Sequence, residues 1–274
     1  MSNVIQETIQ PGLIRLTLNR PDAFNALSEA MLADLGAALK TIAADSSARV
    51  VVLAAQGRAF CAGHDLREMR ASPSEDYYQR LFAQCTEVMM TIQQMPQPVI
   101  AEVQGVATAA GCQLVAMCDL AVASEKARFA VSGINLGLFC ATPSVPLSRN
   151  LSRKQALELL LTGDFLSAED ARERGLINQV VPAEALTDAA VGLAEKILAK
   201  PEAAVRMGKQ LFYRQLEVGI EEAYVMAGST MACNMMQPDT LEGVQAFIEK
   251  RPPSWQAASE NHPQTAQEKG QAAA

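Results

Sequence analysis

The sequence predicts an α/β protein whose last third is a helical module. Three observations carry this. Strand and helix patterns alternate over the first two thirds of the chain. Residues 49–55 form a β-branched run, the mark of a strand buried on both faces, and 99–103 read as a second buried strand. From residue 183 to 250 the apolar spacing is helical almost without a break.

Each element has its own warrant. Residues 14–19 (IRLTLN) alternate as a strand does. Ser28 is placed to cap a helix running to about Ala44, with Met31, Leu32, Leu35 and Leu39 on one face. Gly57 ends the run 49–55, and a loop continues through Gly63. A helix is expected from about Ser74 to Met95, where Pro96 and Pro98 stop it. The second buried strand ends at Gly105, and a helix starts near Ala109 and runs to about Met117. Residues 120–123 and 128–131 read as short strands. Ser152 and Ser167 cap two more helices, the second closed by Gly175, and 177–181 is the last strand. Pro201 and Pro238 interrupt the helical run that follows. Beyond Pro252 and Pro253 the chain turns to Gln, Ala, Ser and Glu, the composition of a disordered tail. The expected organisation is therefore a core at 1–200, a helical region at 201–255 and a tail at 256–274.

Composition narrows the function. The 274 residues carry a net charge of −7, and only 5% are aromatic. With no basic run, a nucleic-acid partner is excluded. The longest apolar stretch, near 50–55, falls far short of the roughly 20 residues that span a bilayer, so no membrane partner is expected. The first residues show neither a secretory signal nor an Arg-rich presequence, and the six cysteines lie in apolar or helical patterns at irregular spacings. Both point to reduced, buried thiols and a cytoplasmic protein. Cys61 and His64 share a loop, but His262 is the only other histidine, so no metal site is expected. Walker, dinucleotide-binding and nucleophile-elbow signatures are all absent from the sequence.

Two segments share one design: a buried strand, a turn of small residues, then a helix start. The first leads into Arg58-Ala59-Phe60-Cys61-Ala62-Gly63-His64-Asp65-Leu66, the second into Gly105-Val106-Ala107-Thr108-Ala109-Ala110-Gly111-Cys112. Small residues admit close backbone approach, and a helix N-terminus offers unpaired N–H groups. Two such turns facing each other can direct N–H donors at one oxygen, the requirement for stabilising a thioester enolate. Tight packing alone is the other reading of the same pattern.

Asn19-Arg20-Pro21, Asn25-Ala26-Leu27, the loop from Ala59 to Leu66, and Cys112-Gln113-Leu114 through Cys118-Asp119 resemble the crotonase (enoyl-CoA hydratase/isomerase) superfamily. Thr162-Gly163 through Gly175-Leu176-Ile177-Asn178 and the ending Glu242-Gly243 to Phe247 and Lys250 extend the match. The resemblance implies a ββα spiral core, a C-terminal helical trimerisation region, and homo-trimers or dimers of trimers. It implies an acyl-CoA thioester as substrate, with no cofactor besides the coenzyme A that the substrate carries. An oxyanion hole falls on the N–H groups of His64 and Ala110, with Gly111 beside it. The coenzyme lies against Ala62, Gly63, Asp65 and Leu66 and near Ala23, with Arg20 and Arg58 close to its phosphates. The apolar stripe Leu211, Phe212, Leu216, Ile220 and Tyr224 reads as packing and subunit interface.

The pattern breaks where hydratases of the family carry two glutamates: those positions are Gln113 and Gly133 here. A positioned acid or base contributes roughly 10²–10⁴-fold, so ordinary hydration is expected to be weak. Gly133 also suggests a vacant space, lined by Ser132, Asn135 and Cys140, that admits water, bicarbonate or a substrate carboxylate. Bicarbonate serves as the base in naphthoate synthases with glycine at this place. The Ala-Gly-His-Asp loop resembles that of methylmalonyl-CoA decarboxylases, whose chemistry needs an enolate but no strong base. Decarboxylation of a malonyl-type thioester, and non-catalytic acyl-CoA binding, therefore stand as alternatives. Phe139-Cys140-Ala141-Thr142-Pro143 is expected to reshape the acyl pocket, and Cys140 to be an inert thiol rather than a nucleophile. Asp65 is read as an anchor of its loop. Glu68, four residues after His64, has the spacing to meet it and raise the charged fraction of the imidazole, but Arg67, Glu68 and Arg70 read first as a solvated face.

Overall fold

The computed structural model describes residues 2–71 and 73–257; His262 and the tail from residue 258 onward lie outside them. The chain opens with two antiparallel strands, β1 (Val4–Gln10) and β2 (Leu13–Leu18), followed by α1 (Glu29–Ala44). Ser28 caps α1, its hydroxyl accepting from the Met31 N–H.

A strand–strand–helix unit then repeats. In the first, β3 (Val50–Ala55) and β4 (Ala59–Cys61) precede α2 (Leu66–Ala71) and α3 (Glu75–Gln94). In the second, β5 (Val99–Val103) and β6 (Val106–Thr108) precede α4 (Ala110–Met117). In the third, β7 (Leu120–Ser124) and β8 (Arg128–Ala130) precede α5 (Ala141–Asn150) and α6 (Arg153–Thr162). β9 (Leu166–Ser167), α7 (Ala168–Glu173), β10 (Gln179–Val181) and α8 (Leu186–Leu198) complete a first compact unit, Met1–Leu198. The second unit, Ala199–Ala274, contains α9 (Glu202–Gln215), α10 (Ile220–Met235), α11 (Pro238–Ile248) and the short α12 (Ser254–Ala257).

The first strand of each repeat joins a six-stranded sheet ordered β1-β2-β3-β5-β7-β10, parallel from β2 onward. The second strand of each joins a smaller sheet, β4-β6-β8-β9. This is the ββα arrangement that the resemblance implies. The β-branched runs are explained by the two layers over the large sheet. Val51 and Leu53 face the core with α1, α3 and α4, whereas Val50, Val52, Ile100 and Val122 face Leu186, Ala190 and Ala194 of α8.

Five elements differ from expectation for local reasons. β1 is largely exposed and carries no apolar alternation, and β4 and β6 are only three residues long. α5 holds Pro143 and Pro146, which argue against a helix in the sequence; the Asn150 amide closes its end, donating to Pro146 O at 2.8 Å and to Ala116 O at 3.0 Å. The strand expected at 177–181 shrinks to β10, because Ile177 is buried in the core while Asn178 exchanges hydrogen bonds with Ala121.

Candidate functional site

β4 and β6 are parallel neighbours, so the chain leaves both at the same edge of the small sheet. The two small-residue turns emerge side by side there. A methyl group at Gly63 would lie 2.9 Å from Ala109 Cβ, 3.1 Å from Thr108 O and 3.2 Å from the Ala110 nitrogen. Gly63 itself is held at φ +91°, a conformation that glycine adopts without strain. Gly111 is needed for packing: a side chain there would run into the Cys61 carbonyl, so its absence lets α4 sit directly on β4.

The main-chain hydrogen bonds leave two N–H groups without acceptors among the described residues. Leu27 and His64 form an isolated parallel bridge, in which the Leu27 N–H donates to Gly63 O at 2.8 Å and the Asp65 N–H to Leu27 O at 3.4 Å. The His64 N–H lies between these bonds and takes part in neither. Ala110 is the first residue of α4, where the N–H has no intrahelical acceptor. Ala109, just before it, donates to Ala130 O at 3.0 Å as the last rung of the β6–β8 ladder. It then reverses the chain at φ +50°, ψ −121°, a costly conformation for alanine. The strain turns the next peptide out of the ladder. Nothing in the sequence signals it, because alanine carries no turn signature.

Below the turn, Asn25 is wholly buried and clasps three partners. Its Oδ1 accepts from the Arg20 N–H at 2.8 Å, and its amide donates to Gln56 O and Ala59 O at 2.8 and 2.9 Å. Asn25→Ala is expected to cost about 2–4 kcal/mol in urea unfolding, from three lost hydrogen bonds that leave the Arg20 N–H and the Gln56 carbonyl without their partner, while Ala59 O keeps the Gln104 amide. Asp65 anchors its loop. One carboxylate oxygen accepts from the N–H groups of Arg67 and Glu68, and the other meets Arg20 at 3.1 Å. That pairing, with the α2 N–H groups, holds the carboxyl below its ordinary range. Arg20 also donates to Ala26 O, so it braces the loop. Arg58 instead stacks over the exposed Phe24 ring at 4.5 Å, and Ala23 closes the short turn before it. Leu66, at the start of α2, is exposed.

His64 does not pair with Glu68, as its spacing suggested. The Glu68 carboxylate accepts from the Glu29 N–H at the start of α1, while the imidazole lies edge-on to Phe82 with ring centroids 5.4 Å apart. Its Nδ1 is 3.4 Å from Leu27 O, and a carbonyl can only accept, so Nδ1 carries the proton. Nε2 is buried and has no partner among the described residues. Desolvation pushes the imidazole below its ordinary value, outweighing the Leu27 hydrogen bond. The unfolded chain then takes up a proton that the folded one refuses. Stability should therefore be level above about pH 7 and fall as pH drops through 6.5, and His64→Gln should flatten that limb of the denaturation profile.

The second glutamate position departs from expectation. Gly133 is buried, and the space beside it is filled: a Cβ there would lie 2.7 Å from Cys140 Sγ and 2.9 Å from Leu138 O. The vacancy proposed for water, bicarbonate or a carboxylate is corrected accordingly. Asn135 is exposed and packs on the Gly163 turn, not beside Gly133. Cys140 is buried, its Sγ 3.5 Å from Val131 O, and burial raises the thiol. Phe139 opens onto a cavity of about 280 Å³ between α5 and α6. Gln113 is 4% exposed, and its Oε1 has no partner among the described residues. Thr108 and Ser132 place their hydroxyl oxygens 2.9 Å apart, a contact that sequence cannot reveal across 24 residues. No group of three His, Cys, Asp or Glu among the described residues is arranged to hold a metal.

Comparison with known proteins supplies the context. The family model described as enoyl-CoA hydratase/isomerase matches residues 8–258. Rat enoyl-CoA hydratase domain-containing protein 3, mitochondrial, is 45% identical over 246 residues, covering 90% of this chain and 82% of the relative. The mitochondrial enoyl-CoA hydratase of Pongo abelii is 35% identical over 241 residues, 88% of this chain and 81% of that protein. Among solved structures, an enoyl-CoA hydratase from Mycobacterium smegmatis is 64% identical, with a TM-score of 0.91 over 93% of this chain and 99% of its own. Human enoyl-CoA hydratase domain-containing protein 3 is 42% identical, with a TM-score of 0.89 over 92% of this chain and 100% of its own. The cytoplasmic expectation is overturned by these names: the relatives from rat, mouse, frog, zebrafish and human are all called mitochondrial. Five of the six cysteines are buried, whereas Cys233 is exposed, against the expectation of buried thiols, and thiol burial does not distinguish one reducing compartment from another.

Proposed function

The chain belongs to the enoyl-CoA hydratase/isomerase family, and from that premise we propose that it binds an acyl-CoA thioester and stabilises its enolate between the N–H groups of His64 and Ala110. One observation carries this reading: two N–H groups without acceptors, on turns that touch at Gly63, held by a strained Ala109 and a buried Asn25. Donors fixed in advance stabilise charge that develops on the thioester oxygen without reorganising. The segment from Ala62 to Leu66, with Ala23 nearby, seats the coenzyme, and no cofactor beyond the coenzyme A of the substrate is required.

Hydration itself is expected to be weak. Gln113 cannot exchange a proton at neutral pH, and Gly133 has no side chain to do so. Acetoacetyl-CoA is the direct probe, because its enolate absorbs in the near ultraviolet. Binding should lower the pH at which the enolate band appears, while crotonyl-CoA is hydrated slowly; thioester binding with no shift of the band would overturn the reading. Decarboxylation of a malonyl-type thioester is a second reading. It is favoured by uncharged groups at both glutamate positions, since loss of CO₂ creates the enolate without a base.

We read α9, α10 and α11 as an assembly surface for a homo-trimer or a dimer of trimers. Phe212 of α9, Ile220 of α10 and Phe247 of α11 are 57%, 78% and 85% exposed there, and Tyr224, Val225 and Met231 of α10 are exposed with them. Isolated apolar residues are ordinary on a surface, but this many on three helices mark an interface. Sedimentation equilibrium tests the assembly by its mass.

A further inference from the structure

The small sheet is irregular just before the His64 turn. Ala59 pairs with Val106 and Cys61 with Ala107, so β4 uses one residue more than β6 over the same stretch. The extra residue is Phe60, and the result is a β-bulge, rare between parallel strands and common beside active sites. A bulge disrupts the ladder locally, and two side-chain amides converge on this one. Ala59 O accepts from Asn25 at 2.9 Å and from Gln104 at 3.1 Å. The Gln104 amide also meets Ala55 O at 2.9 Å and Gly57 O at 3.0 Å, so it spans the whole connection from β3 to β4.

Gln104 itself lies on the connection from β5 to β6. A side chain on the next residue, Gly105, would run into the Arg58 carbonyl, so the two connections lie directly against each other. One leads through β4 to His64, the other through β6 to Ala110. Asn25 clasps the first from the turn before α1, whereas Gln104 ties one arm to the other. The distances make this tie consequential. A strand advances about 3.3 Å per residue, and a donor serves an oxyanion only within about 2.7–3.1 Å. Even a partial slip of β4 toward regular register would carry the His64 N–H out of reach. We propose that Gln104 is a positioning residue: by holding the bulge it fixes the spacing of the His64 and Ala110 N–H groups. This rests on the enolate reading above and adds a residue that acts through the two turns.

The enolate band of acetoacetyl-CoA, at saturation, reads that spacing. Gln104→Met keeps the length of the side chain and removes its N–H donors. The band should then appear about one pH unit higher than in the native chain, a roughly tenfold loss that falls short of removing a donor outright. Butyryl-CoA, held mainly through its coenzyme, should bind nearly as before. Leu186→Ala truncates the core on the α8 side of the large sheet; it should lower the denaturation midpoint without moving the band, which separates positioning from stability. Gln104→Asn keeps the carboxamide on a shorter stem. It should move the band the same way by less, and it carries the test if the methionine chain does not fold. A band at the native position in Gln104→Met, or in Gln104→Asn where only that chain folds, would overturn the proposal. An equal displacement in Leu186→Ala would do the same. A native chain that binds acetoacetyl-CoA without shifting its band would overturn the enolate reading, and the role of Gln104 with it.

Discussion

Ala110→Pro should weaken enolate stabilisation by about 10²–10³-fold, the usual consequence of removing one donor from such a hole. The substitution is chosen because Ala110 is the first residue of α4, the helical position that tolerates proline: its N–H makes no intrahelical bond, and the ring's fixed φ suits a helix start. What is lost is the single N–H assigned to the thioester oxygen. With acetoacetyl-CoA bound, the enolate band should shift back toward the pH at which the free thioester ionises. Butyryl-CoA, held mainly through its coenzyme, should lose far less affinity. A shift of the band as large in Ala110→Pro as in the native chain would show that this N–H does not meet the developing charge. Gly63→Ala gives the complementary test, since the methyl would stand 3.2 Å from the same nitrogen without removing it.

The sequence and the fold agree best where one residue's environment is set by its near neighbours. Ser28, Ser152 and Ser167 cap the helices their positions announce, because a cap spans only three residues. Val50 to Leu53 are buried on both faces, because a parallel strand covered on both sides leaves no polar alternation. The turns at Gly63 and Ala110 are legible for the same reason, as small residues between a strand and a helix. What stayed hidden depends on distant partners. Asn25 is legible only as part of the Asn25-Ala26-Leu27 resemblance, and its clasp appears once Gln56 and Ala59 fold over it. Glu68 has the spacing to meet His64 but is drawn to the start of α1, from a segment 39 residues away. The filled space beside Gly133 depends on how residues 138–140 fold back, and no local pattern encodes that.

Gly133→Glu, alone or with Gln113→Glu, is expected to destabilise the chain and to restore no crotonyl-CoA hydration. The first methylene of the new side chain would stand 2.7 Å from Cys140 Sγ and 2.9 Å from Leu138 O. A thiol can be moved, but the second obstacle is main chain. Overpacking of this kind costs about 1–3 kcal/mol where side chains can yield, and more where backbone must move. Cys140→Gly in the same chain should therefore recover only part of the loss. Gln113→Glu behaves differently. It changes almost no volume, so it should fold, but it places a carboxyl at a position 4% exposed with no donor at the Oε1 it replaces. Burial then favours the protonated acid, leaving a poor base at neutral pH. Denaturant midpoints and crotonyl-CoA turnover, measured on the two single variants and the double, separate these effects. A double variant as stable as the native chain and able to hydrate crotonyl-CoA rapidly would mean that residues 137–140 yield readily. The missing acids would then be the whole of what distinguishes this site from a hydratase.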